Sequence, residues 1–264
     1  MPANIANLSV ASESISNLTD MTNYAIEMTG VSKTYKAKRA LEGLSLKIQK
    51  NEIFGLLGHN GAGKTTTVSI LTTLIRPDSG SVNVAGINVT KAPSLVRSKI
   101  GYLPENVQLY NKLTTRENLR FFGKLSGLRN PDSDIDRVLQ YLEFTENADK
   151  RVGEFSKGMR QRVGIAQAIL HQPEVLFLDE PTSGLDPEGV WQLREVIKSL
   201  NADLGMTIFM NTHLLSEVTK TCTSIGILRS GKLAYTNSID AVTQEFPDEQ
   251  AVENLYLSLE AKSK

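Results

Sequence analysis

Apolar and polar positions along this chain switch repeatedly between two periods. Ala25-Ile-Glu-Met28 and Leu44-Ser-Leu-Lys-Ile48 alternate with period two, punctuated by Gly30 and Gly43, and predict strands with one buried face. The unbroken apolar runs Ile53-Phe-Gly-Leu-Leu57 and Val175-Leu-Phe-Leu178 suit strands buried on both faces. Ser81–Ala85, Ile100–Pro104, Met206–Met210 and Ser224–Leu228 read as further strands, the last meeting a hairpin signal at Ser230-Gly231. Helices are expected from Thr66 to Leu74, from Thr115 through Phe122, up to about His171 with Pro173 as a stop, and from about Pro187 to Leu204. In the stretch 134–144, Ile135, Val138, Leu139 and Leu142 share one helical face. Strands alternating with helices predict an α/β fold whose parallel sheet is covered on both faces. Residues 105–165 stand apart as an inserted helical subdomain, and a small antiparallel β region is expected beside the main sheet.

Composition changes this picture little. The 264 residues, 40% apolar and 22% charged, suit one large domain or two small ones. Lys+Arg and Asp+Glu balance at 29 each, so no overall field favours nucleic acid or anionic lipid. Cys222 is the single cysteine and suits a reducing compartment. With His59, His171 and His213 it forms no metal-ligand spacing. No segment approaches the ~20 apolar residues that span a bilayer. Residues 1–23, rich in Ser, Asn, Thr and Ala, read as a flexible tail, and 236–264 as a helical, mostly surface extension. His171 sits near a helix end where a cation is favourable, and Trp191 and Phe121-Phe122 suit core or interface packing.

The chemistry begins where a strand, a glycine-rich turn and a helix follow one another. Gly58, His59, Asn60, Gly61, Ala62, Gly63, Lys64 and Thr65 have P-loop spacing, with Thr66 continuing into the helix. Glycines let successive backbone N–H groups turn inward onto phosphate oxygens. Lys64 would reach the β- and γ-phosphates, the Thr65 hydroxyl would ligate Mg²⁺, and the helix points its positive end at the same anion. Hydrolysis also needs a carboxylate for the metal and a group that directs water. Asp179 follows four apolar residues and would sit at the C-terminal edge of a central strand. Glu180, next to it, is placed to act as general base.

Five ordered motifs then carry a family resemblance over about residues 24–235. Phe155-Ser-Lys-Gly-Met159 resembles the signature of ATP-binding-cassette (ABC) ATPases. It precedes a Walker B strand ending in Asp179-Glu180, Ser183-Gly-Leu-Asp186 in the D-loop place, and His213 in the switch place. The resemblance implies a P-loop ABC-ATPase core. It makes Tyr35 the aromatic that stacks on adenine, with a strand-end tyrosine packed on the sheet as the alternative. It further implies that Glu180 activates water, that His213 contacts the γ-phosphate, and that Ser156 and Gly158 serve the nucleotide of an opposite subunit. ATP and Mg²⁺ would be the cofactors, with Asp186 near the nucleotide and two subunits forming a homodimer. Polytopic permease subunits, an extracytoplasmic accessory protein and the cytoplasmic face of the membrane complete the implied setting, without nucleic acid. Residues 106–125 would border the groove that receives a permease helix.

Two departures from the family pattern stand out. Glu105 replaces the usual Q-loop glutamine, placing another carboxylate near the metal, and the signature carries Phe155, Lys157 and Met159. Both resemble the ATPases that serve ABC-2-type permeases. Within that branch, Gly58-His-Asn-Gly61, Tyr102-Leu-Pro-Glu-Asn-Val107 and Ser156-Lys-Gly-Met-Arg-Gln-Arg162 resemble the ATPase of the nitrous oxide reductase maturation (Nos) transporter. That resemblance implies a role in maturing a copper enzyme, an assignment that rests on the similarity alone. The alternatives are another ABC-2-type exporter of drugs, lipids or polysaccharides, and a soluble ABC ATPase.

Overall fold

The computed structural model describes residues 23–36, 38–248 and 250–261, so the expected N-terminal tail lies outside the described residues except for Asn23. The strands are β1 (Tyr24–Tyr35), β2 (Lys38–Gln49), β3 (Ile53–Leu57), β4 (Ser79–Val84), β5 (Ile87–Asn88), β6 (Ile100–Leu103), β7 (Val175–Asp179), β8 (Thr207–Asn211), β9 (Ser224–Arg229) and β10 (Lys232–Ser238). The helices are α1 (Lys64–Leu71), α2 (Pro93–Arg97), α3 (Thr115–Leu125), α4 (Asp132–Tyr141), α5 (Lys157–Ile169), α6 (Pro187–Leu204), α7 (Leu215–Thr221), α8 (Ile239–Glu245) and α9 (Ala251–Ala261).

Six strands form the main sheet in the order β10-β9-β3-β8-β7-β6. Its four pairings from β9 to β6 are parallel, and β10 returns antiparallel through the Ser230-Gly231 turn. Positive φ at both turn residues matches the twist of the strands they join. A second sheet, β2-β1-β4-β5, is antiparallel throughout. The expectation of a parallel core beside a smaller antiparallel region holds.

Alternate residues of the main sheet feed two separate cores. On one face, Phe54, Phe177 and Phe209 stack across β3, β7 and β8 with ring centroids 5.5 and 5.6 Å apart, against α1 and the antiparallel sheet. On the other, Leu57, Leu103, Leu178 and Met210 meet the helical side of the molecule. Each fully buried aromatic of this kind contributes up to ~3 kcal/mol. The chain between β6 and β7 is helical, with a Thr114–Glu117 capping box starting α3 and Ser156 capping α5. Gly101 lets α5 lie against β6, because a Cβ there would run into the Ala168 carbonyl.

Most of the described C-terminal extension is exposed or half-buried, while Val242, Ala251, Val252 and Leu255 are buried and α9 packs on α7. Trp191 is 57% exposed on α6, so of the expected core or interface packing the core is excluded. His171 lies two residues past the end of α5. It shares a bond of 2.9 Å through Nε2 with the Ile100 carbonyl, while its buried Nδ1 has no partner. The carbonyl can only accept, so Nε2 carries the proton. Burial holds the imidazole below its ordinary value near 6.5. The short helix α2 has no counterpart in the expected elements.

The folded chain therefore binds fewer protons at His171 than the unfolded chain once pH falls below about 6.5, and stability drops as pH decreases through that region. His171→Gln keeps a donor for Ile100 without titrating. Urea midpoints at pH 7.5 and 5.5 should differ less for this variant than for the wild type; equal differences would remove His171 from the acid response.

Candidate functional site

The glycine-rich loop hangs between β3 and α1 because β3 is buried on both faces and cannot shift. Gly63 caps α1 with φ +111, and a Cβ there would meet the Ala40 carbonyl at 2.6 Å and Leu41 at 2.8 Å. Only glycine suits both the conformation and the packing. Ala62 and Lys64 are buried, whereas His59, Asn60, Gly61 and Thr65 are exposed and Thr66 half-buried. Lys64 Nζ is folded back onto the loop, donating to the Gly58 carbonyl at 2.6 Å and the His59 carbonyl at 3.4 Å. Burial lowers its pKa, opposed by the charges of Glu180 and Asp179.

A cavity of about 210 Å³ opens at this loop, lined by Asn60, Gly61, Lys64, Thr65, Glu105, Asp179, Glu180 and Asn211. Asp179 ends β7 beside Asn211, the last residue of β8, whose amide donates to its carboxylate at 2.5 Å. Burial raises the Asp179 pKa most; the Asn211 bond opposes this, and Glu180 and Glu105 crowd it with like charge. Glu180 has φ +46, strained for a residue with a side chain. Its N–H donates to the Asn211 carbonyl at 2.8 Å, which fixes the turn. One Glu180 carboxylate oxygen meets His213 Nδ1 at 2.8 Å and its backbone N–H at 3.4 Å.

The oxygen donors fit a hard divalent cation. Thr65, Asp179 and Glu105 offer a hydroxyl and two carboxylates, and Asn211 Oδ1 is buried without a partner. Among the described residues no cluster of three acidic, histidine or cysteine side chains forms a metal cage. That suits Mg²⁺, which takes one or two carboxylates and completes its shell with phosphate and water.

Other expected residues fall elsewhere. Tyr35 ends β1, 47% exposed, with Lys33 Nζ 5.8 Å from its ring. It pairs with Lys38, and a Cβ on Gly61 would lie 3.8 Å from Lys38 Nζ, so this hairpin end borders the loop. Ser156, Gly158 and Asp186 line a different cavity, of about 540 Å³, which shares no lining residue with the first. The Ser156 hydroxyl accepts from Met159 N at 3.3 Å, and the Asp186 carboxylate accepts from Gly189 N at 2.8 Å, each capping a helix. Within one chain, the signature and the phosphate loop are not brought together. Asn211 and Gln161 were absent from the expected site. Asn211 donates to Asp179, and Gln161 donates to the Pro181 carbonyl at 3.1 Å. Asn211 could have been found as the polar end of an apolar strand two residues before His213.

Comparison with known proteins agrees with this arrangement. The ABC transporter family profile matches residues 41–183. The bacitracin transport ATP-binding protein of Bacillus licheniformis is 41% identical over 79% of this chain and 68% of its own length. The linearmycin resistance ATP-binding protein of Bacillus subtilis is 39% identical over 79% and 67%. Among solved structures, the ATP-binding subunit of an ABC transporter is 30% identical with a TM-score of 0.77, covering 89% of this chain and 99% of its own. The bacterial ABC transporter cassette MJ0796, solved as a dimer, is 25% identical with a TM-score of 0.70, covering 81% and 98%. With the family profile spanning more than half its length and relatives near 40% identity, this chain belongs to the ABC transporter family, as an ATP-binding subunit with that family's ATPase activity.

Proposed function

We propose that two copies of this chain close around two ATP molecules and drive separate permease subunits that export an antibiotic or similar drug. The observation that carries the catalytic part is the single cavity holding Lys64, Thr65, Glu105, Asp179 and Glu180, with His213 bonded to Glu180. Lys64 exchanges its bonds to the loop carbonyls for bonds to the β- and γ-phosphates, and the loop N–H groups hold the remaining oxygens. Thr65, Asp179 and Glu105 would hold Mg²⁺, which when bound would neutralise phosphate charge. Glu180 Oε2, oriented by His213, accepts the proton of the attacking water. His213 contacts the γ-phosphate from the same side.

The separation of the two cavities supports a dimer. Ser156 and Gly158 are surface groups at the N-terminus of α5, distant from their own loop, and suit the γ-phosphate bound by a second copy. Tyr35, exposed beside the loop, suits adenine stacking. The relatives' names support an antibiotic or drug exporter, and the dimeric cassette supports the pairing. They do not support the nitrous oxide reductase reading. No helix among the described residues is long and apolar enough to cross a membrane, which suits a peripheral subunit on the cytoplasmic face. The docking place is the groove of about 470 Å³ lined by Leu74, Tyr102, Phe122 and Leu125. Nearby Tyr110 and Phe121 make an edge-to-face pair and remain 50% and 40% exposed. An amphipathic permease helix fits such a surface.

Glu180→Gln should lower ATP turnover by at least ~100-fold while ATP binding persists and a dimer accumulates on gel filtration with ATP. Normal phosphate release by that variant would dismiss Glu180 as the base. Glu105→Gln keeps an oxygen ligand and removes one charge, so substantial turnover should remain in a phosphate-release assay. Complete loss would mean that the carboxylate itself is needed. For the transport reading, co-purification from membranes with a polytopic partner is expected; recovery with ribosomes or DNA instead would contradict it.

A further inference from the structure

Gln161 lies on α5, 2% exposed, between the Ser156 cap and the buried residues Val163, Ile165 and Ala166. Its Nε2 donates to the Pro181 carbonyl at 3.1 Å. The carbonyl can only accept, so the amide nitrogen and not the oxygen faces it. Among the described residues, Gln161 Oε1 is buried without a partner. A buried amide with one end unmet contributes little to stability, and an apolar side chain of the same size would pack as well. The bond that Gln161 does make therefore points to a task other than holding the fold.

That bond falls on the residue after Glu180. Glu180 has φ +46, and a residue with a side chain stays in the left-handed region only where its surroundings over-determine it. Glu180 N–H donates to the Asn211 carbonyl at 2.8 Å, Ser183 N–H donates to the Glu180 carbonyl at 3.1 Å, and Gln161 holds the Pro181 carbonyl. The first two bonds join backbone groups, whereas the third depends on one side chain. Pro181 lacks an N–H, so its carbonyl is the polar group by which the turn can be gripped. The helix that carries Gln161 is a firm support, because Gly101 lets it lie close against β6. We propose that Gln161 is a positioning residue for ATP hydrolysis: it holds the turn so that the Glu180 carboxylate stays beside His213, 2.8 Å from Nδ1. This rests on the reading of Glu180 as the base.

The test uses Gln161→Met, which keeps the volume and removes the donor. Phosphate release by the full chain is measured well below the thermal midpoint of each variant, and ATP binding by calorimetry. The expected result is a fall in kcat of about 10- to 100-fold, as for a small misplacement of a reacting group, with KM and ATP affinity unchanged. In a Glu180→Gln background the same substitution should not lower the residual rate further. Should Gln161→Met fail to fold, Gln161→Asn, whose amide stops one methylene short of Pro181, is measured against the same outcomes. Wild-type kcat in the Gln161 variant, with turnover lost in Glu180→Gln, would overturn the Gln161 proposal alone. A lowered thermal midpoint at wild-type kcat would make Gln161 a packing residue only. A raised KM at unchanged kcat, or an equal further loss in the Glu180→Gln background, would place its action elsewhere and overturn the proposal too. Normal turnover in Glu180→Gln would overturn the underlying reading of Glu180 as well.

Discussion

The burial of β7 on both faces is the constraint on which the site depends. Val175, Leu176, Phe177 and Leu178 are all fully buried, and the first polar side chains after them are Asp179 and Glu180. A strand anchored by four such residues cannot slide, because a one-residue slip would exchange its two faces. The two acids therefore emerge at one fixed height beside the loop that follows β3. Asp179 is held by Asn211, and Glu180 sits in a strained turn secured by a backbone bond across to β8. The apolar core thus bears the cost of crowding three carboxylates and a lysine into one cavity.

Much of this organisation is legible in the sequence, for reasons visible in particular elements. Runs such as Val175–Leu178 and alternations such as Leu44–Ile48 each match one geometry, so strand type follows directly. Pro187 and Gly205 bracket α6 as a first-turn proline and a left-handed cap. The loop from Gly58 to Thr65 is legible because its spacing has a mechanical purpose. What escapes is set by tertiary contact. Five-residue α2 is too short to show periodicity, and His171 looks like a helix-end cation until its burial beneath the groove is seen. Val242 and Leu255 look like surface positions until α8 and α9 fold back over the helical core. Asn211 comes within reach of Asp179 only through strand order, which local pattern does not encode.

Two cavities on one chain frame the larger functional picture. One gathers a lysine, a threonine and three carboxylates beside the glycine-rich loop, and the other exposes a serine-capped helix end. The proposed pairing makes sense of this division, since each half-site would be completed when two copies meet. Differential affinity of ATP for the closed and open pair would supply the free energy of the motion. What moves across the membrane is decided by the permease, so the drug-export reading leans on the relatives and not on any residue of this chain.

The central claim is that the loop at the end of β3 is a triphosphate site whose affinity depends on Lys64. Calorimetric titration of the purified chain with ATP, with and without Mg²⁺, tests it most directly. Saturable binding by the wild type, lost or greatly weakened in Lys64→Ala with the fold intact, is the result the account predicts. Absence of ATP binding by the folded wild-type chain, or equal binding by Lys64→Ala, would contradict it.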